Sequence, residues 1–130
     1  MVNVGIVGSR ARTAPEDKER TRVALLELLD EFGKENVTIV SGGCPDGADQ
    51  FAEQFAAEYG LPKIIHHPDK SKLRAKARWA YAEIYHARNT FVARDAEVLI
   101  AVINKGKEGG TEHCVREFLK MGKKRLVIIE

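Results

Sequence analysis

The feature that most constrains this chain is an alternation of short apolar runs with longer segments of helical period. Val2–Val7, Val37–Val40, Lys63–His66, Val98–Ile103 and Arg125–Ile129 are of strand length and rich in β-branched residues. A helix is expected from about Thr13, where Thr13-Ala14-Pro15-Glu16 matches a capping box with proline in the first turn. Its apolar residues Val23, Leu26, Leu29 and Phe32 fall at near-helical spacing, and Gly33 stops it. A second helix is predicted from Asp46 or Gly47 to Tyr59, with Phe51 and Phe55 one turn apart and Gly60 and Pro62 beyond it. A third runs from Ser71 to Arg94, with a break expected near Arg88-Asn89. A fourth, ended by Gly122, places Val115, Phe118 and Leu119 on one face.

Strands that alternate with helices in this way imply a parallel sheet covered on both faces. The almost wholly apolar Val98–Ile103 agrees with a strand buried on both sides. With 130 residues and no repeat, linker or low-complexity segment, the chain makes one domain, 1–130. Right-handed crossovers leave few topologies, and the expected order is 3-2-1-4-5. The fold class is α/β: a Rossmann-like three-layer α/β/α sandwich on a five-stranded parallel sheet. Strands one and four then meet at the topological switch point, where ligands bind outside the carboxyl ends of the strands.

Three glycine-containing segments fall at those ends. They are Gly8-Ser9-Arg10; Ser41-Gly42-Gly43 through Gly47-Ala48-Asp49; and Gly109-Gly110-Thr111-Glu112. Glycine lets backbone N–H groups approach a phosphate, and the second and third segments also open helices, whose N-termini attract anions. Any one of them alone is more often a plain turn; three on one edge point to a site. Neither GxxxxGK[ST] nor GxGxxG occurs.

Val7-Gly8-Ser9-Arg10, Ile39-Val40-Ser41-Gly42-Gly43, Gly47-Ala48-Asp49 with Ala52, Arg88-Asn89, Ala96–Ala101 and Gly109-Gly110-Thr111 follow one another in an order that resembles the SLOG superfamily of Rossmann-like proteins. That superfamily includes the DNA-processing Smf/DprA proteins, the LOG phosphoribohydrolases and the YspA/cpYpsA-related proteins, and the last group is the most similar in length and in its Gly47-Ala48-Asp49 segment. The resemblance implies a nucleotide or nucleotide-derived phosphorylated ligand, bound by Gly8, Ser9, Arg10, Ser41, Gly42, Gly43, Gly47, Asp49, Asn89, Gly109, Gly110 and Thr111. It also implies a homodimer or higher homo-oligomer. In LOG proteins an arginine and a PGGxGTxxE glutamate act on a nucleotide N-glycosidic bond. Arg88 lies where that arginine would, and Glu112 is the carboxylate nearest the glutamate's place. Cys114 stands three residues past Thr111, so Glu112 is about 200° around the helix from the expected position. Binding is therefore the leading expectation, as a sensor or binding module. LOG-like hydrolysis by Arg88 and Glu112 is the first alternative.

Single-stranded DNA binding, as in Smf/DprA, is the second. Lys70, Lys72, Arg74, Lys76 and Arg78 form a basic run, with Trp79, Tyr81 and Tyr85 beyond it. Such runs are usually solvated faces, yet they suit phosphate contacts, and aromatic rings suit base stacking. The net charge of +2 gives no reason to expect coating of nucleic acid by bulk charge. Asn104-Lys105-Gly106-Lys107 reads as a solvated loop or as a lid over a phosphate. His66-His67 lacks a third ligand, so no metal is expected, and no cofactor. No apolar run approaches the roughly 20 residues of a membrane span, and Met1–Val7 has no signal-peptide features. Cys44 and Cys114 form no CxxC motif. A cytoplasmic location is expected, and Cys114 is either a reactive thiol near the cleft or a buried one.

Overall fold

The computed structural model describes residues 1–9, 12–43, 47–68, 78–103 and 110–130, with side chains from residue 83 onward in the fourth of these segments. The strands are β1 (Val2–Gly8), β2 (Val37–Ser41), β3 (Lys63–Ile65), β4 (Val98–Val102) and β5 (Arg125–Ile129). The helices are α1 (Pro15–Phe32), α2 (Ala48–Tyr59), α3 (Arg78–Asp95) and α4 (Gly110–Lys120), with a 3-10 turn at Lys34–Asn36. All strands are parallel, in the order β3-β2-β1-β4-β5. This is the expected Rossmann-like α/β fold.

Alternation along the strands divides the core in two. Val4 and Ile6 of β1 with Val98, Ile100 and Val102 of β4 pack against Leu25 and Leu28 of α1 and Phe51 and Phe55 of α2. Val7, Leu99 and Ala101 point the other way, against Val92 and Ala96 of the α3 side and Cys114 and Phe118 of α4. Helices therefore cover both faces of the sheet. Winding reverses between β3 and β4, so β1 and β4 flank the switch point. Among the described residues no helix is long and apolar enough to cross a membrane.

Several local expectations shift. In α1 the buried face is Asp17, Thr21, Leu25, Leu28 and Leu29, with Phe32 packed against it, so Leu29 and Phe32 lie inside as expected while Val23 and Leu26 are exposed. A strict three-residue step such as 23, 26, 29, 32 slips about 60° per step around a helix, whereas steps of four and three keep to one face. The same helix is capped one residue later than expected. Ala14 is its N-cap, and the Asp17 carboxylate accepts the Ala14 N–H at 3.3 Å. Leu119 is exposed, although Phe118 beside it is wholly buried. α3 runs unbroken through Arg88-Asn89, because the Asn89 side chain bonds outward to another element instead of competing for its own backbone. Its predicted first turns, 71–77, lie outside the described residues. Lys123 caps its far end by donating to the carbonyls of Ala93, Arg94 and Ala96.

Candidate functional site

Each loop at the carboxyl ends of β1 and β2 is shaped by a close approach. A Cβ on Gly8 would stand 2.5 Å from Ala48 Cβ and 2.9 Å from Val102 Cβ. Glycine here lets the first residue of α2 and the end of β4 close on the end of β1. The Ser9 N–H then donates to the Val102 carbonyl at 3.0 Å. Arg12 secures the same loop. It donates twice to Asp17 Oδ1 (3.0 and 2.7 Å) and to the Ile103 carbonyl at the end of β4. The Arg12 hydrogen bond holds the buried Asp17 carboxyl below its ordinary range, against the opposing effect of burial.

At the end of β2, Ser41 is fully buried. Its hydroxyl donates to the Asp49 carbonyl at 3.4 Å and accepts the Gly43 N–H at 3.3 Å, which joins the loop to α2. Gly43 sits at φ +72°, and a Cβ there would meet the His67 ring at 2.5 Å. Gly47, at φ +71°, is the N-cap of α2 and offers it no side-chain cap. α2 and α4 thus open at the ends of β2 and β4, the two strands that flank β1.

Arg88 and Asn89, adjacent on α3, span these two helix starts. The Arg88 guanidinium donates to the Gly42 carbonyl, lies 3.9 Å from Asp49 Oδ2, and donates from Nε to Asn89 Oδ1 at 2.8 Å. Its Cζ lies 5.5 Å from the centroid of the Tyr85 ring. Asn89 donates from Nδ2 to the Gly110 carbonyl at 3.0 Å. Its own carbonyl accepts the Cys114 thiol at 3.6 Å. Asp49, Arg88, Asn89 and Gly110 therefore form a strut from the first turn of α2 to the first residue of α4. Arg88, Asp49 and Asn89 are largely removed from water, where such polar contacts weigh most.

The structure brings together Gly8, Ser41, Gly42, Gly43, Gly47, Asp49, Arg88, Asn89 and Gly110 of the expected set, with Ser9 at the end of β1 and Thr111 buried behind Gly110. Glu112 stands half-buried in the first turn of α4. Among the described residues, the polar contacts of Arg88 go to Gly42, Asp49 and Asn89 and not to Glu112. Arg10 and Gly109 lie outside the described residues, as do Lys70, Lys72, Arg74, Lys76 and the loop 104–109. Arg78 begins α3, and its side chain is outside the description. Sequence reasoning missed Arg12, and weighed His67 only as a metal ligand, not as the ring against Gly43. The only sequence signal for Arg12 is an acid five positions on, in the first turn of the next helix.

Of the two readings of Cys114, the structure shows the buried one. Burial, reinforced by the nearby Asp49 charge, pushes its thiol up to about 12. Since the thiolate is the nucleophile, a Cys44→Ser variant at about pH 8 should react with a thiol reagent only as fast as the protein unfolds. Labelling within the mixing time would contradict this. At the end of β3, His66 pairs with Asp95 at 2.5 Å and stacks on Phe91. The Asp95 carboxyl lies below its ordinary range, because bonds from His66 and Arg94 outweigh the effect of burial. Among the described residues no group of three histidine, cysteine or carboxylate side chains is placed to hold a metal.

No protein-family model, curated protein or solved structure matches the chain.

Proposed function

We propose that the chain binds a nucleotide or nucleotide-derived phosphorylated ligand where the carboxyl ends of β1, β2 and β4 converge, acting as a sensor or binding module of SLOG type. One observation carries this reading: the Asp49–Arg88–Asn89–Gly110 strut fixes two helix N-termini on either side of the switch point. A helix N-terminus carries a partial positive charge and N–H groups that lack intrahelical acceptors, the combination that receives phosphate. Gly42, Gly43 and Gly110 carry no side chains at this edge of the sheet, and the space a Cβ would take at Gly42 and Gly43 is filled by Arg88 and His67. The nucleoside part of the ligand is supported by the ordered resemblance of the glycine segments to SLOG proteins. Binding is favoured over LOG-like hydrolysis by the contacts of Arg88, which go to the walls of the cleft and not to Glu112.

The test is a thermal-shift series with AMP, ATP, NAD, ADP-ribose, cyclic dinucleotides and a short single-stranded DNA. A ligand at a hundred times its dissociation constant adds about 2.7 kcal/mol to stability. One nucleotide should raise the midpoint, and Gly110→Asp, which puts a carboxylate at the first residue of α4, should abolish the rise. A shift with DNA alone would replace the nucleotide reading by strand binding. Release of free base that disappears in Arg88→Ala and Glu112→Ala would replace it by hydrolysis.

A further inference from the structure

One pair of side chains on the α3–α4 interface takes no part in the strut but sits directly beside it. His86 and His113 stack with ring centroids 4.0 Å apart and planes 15° from parallel. His86 is one turn before Asn89 on α3, and His113 is one turn after Gly110 on α4. The two rings therefore bridge the same two helices as the Asn89–Gly110 hydrogen bond, one turn away from it.

The environment of His113 suits a neutral ring. Among the described residues no partner reaches its buried Nδ1, while Nε2 lies 3.4 Å from Glu117 Oε1. A proton on Nδ1 would place a charged donor where nothing accepts it, which is costly in a buried setting. The facing groups are His86 on α3 and Glu117, Arg116 and Lys120 on α4. Only Glu117 favours the charged form; protonation of His86 would set a like charge 4.0 Å from the ring.

We propose that the His86–His113 stack is a pH-sensitive latch on the ligand cleft: with His113 neutral it holds α4 against α3 so that Asn89 fixes Gly110, and protonation of His113 releases that end of the cleft. As regulation of ligand binding the latch rests on the reading above; the mechanical coupling from His113 to Gly110 does not. Burial first, and then His86, hold His113 below the ordinary histidine value of 6.5. The folded state therefore binds fewer protons than the unfolded chain. The stability that a neutral His113 contributes is complete above that value and is lost as pH falls through it toward the lower folded value.

The test follows the Gly110 backbone amide and the Asn89 side-chain amide by NMR from about pH 8 to about pH 5. Both resonances should move with the His113 titration, at a midpoint below 6.5, and should cease to do so in His113→Phe, which keeps an aromatic ring in the stack. Should that variant not fold, His86→Phe serves instead: with one like charge removed, the common midpoint should rise. In parallel, AMP affinity should fall about fivefold across the range in the wild type and stay nearly constant in His113→Phe. Resonances that stay still in the wild type, or that titrate unchanged in both variants, would overturn the latch. Intact resonance coupling without AMP binding at any pH would support the latch and count against the nucleotide reading.

Discussion

Gly8→Ala is expected to lower the unfolding midpoint by about 10 °C, a loss of about 3 kcal/mol for a domain of this size, and to abolish the ligand-induced thermal shift. The new methyl would meet Ala48 Cβ at 2.5 Å, Val102 Cβ at 2.9 Å and the Val102 carbonyl at 3.0 Å. These atoms belong to the backbone or are fixed directly to it, so no rotamer change relieves the overlap. The backbone itself must give, and the start of α2, with Gly47 and Asp49, moves away from β1. Gly5→Ala is the informative comparison. There the nearest atoms are Ala96 Cβ at 2.9 Å and the end of the Leu99 side chain at 3.0 Å. Of these only Ala96 Cβ is fixed to the backbone, where Gly8 meets three such atoms and one of them much closer, and the contact lies just past the end of α3 remote from the strut. Gly5→Ala should cost less and keep the ligand shift. If the two variants are equally stable, or Gly8→Ala still binds, then close approach at Gly8 does not build the cleft.

Gly8 illustrates what a single sequence makes legible. It follows an apolar run of strand length, so its place at a strand end could be read directly. The strand order could be read too, because the alternation of elements and the handedness of crossovers leave little choice. Together these fixed which loops meet. What they could not fix is which helix faces meet, since that depends on contacts between residues far apart in the chain. Arg12 reaching Ile103, His67 lying against Gly43 and His86 stacking on His113 leave no periodic trace. Within α1, Val23 and Leu26 read as core because their spacing is near-helical, yet the slower drift of the Thr21–Leu25–Leu28 row puts that row inside. Asn89 read as a helix break for a related reason. Its local propensity to compete with the backbone is real, but here a partner 21 positions away takes the side chain.

Arg88 decides between two views of the cleft. As a clamp on the ligand phosphate it would contribute to binding alone. As the strut described above, it should carry stability as well: Arg88→Ala is expected to cost about 3 kcal/mol and to lose ligand binding at the same time. The Gly42 carbonyl loses its donor, Asp49 loses a cation 3.9 Å away, and Asn89 Oδ1 loses the bond that orients its amide toward Gly110. Arg88→Lys should recover only part of this, because one ammonium cannot reach both Gly42 and Asn89 in the planar geometry of a guanidinium. A double-mutant cycle with Asp49→Asn then isolates the ionic share, expected at about 1 kcal/mol across a distance this long. A clamp leaves a different pattern. Arg88→Ala would unfold at the wild-type midpoint and merely bind more weakly, and the cycle with Asp49 would show no coupling. The split between stability and affinity therefore assigns the arginine to the walls of the cleft or to its contents.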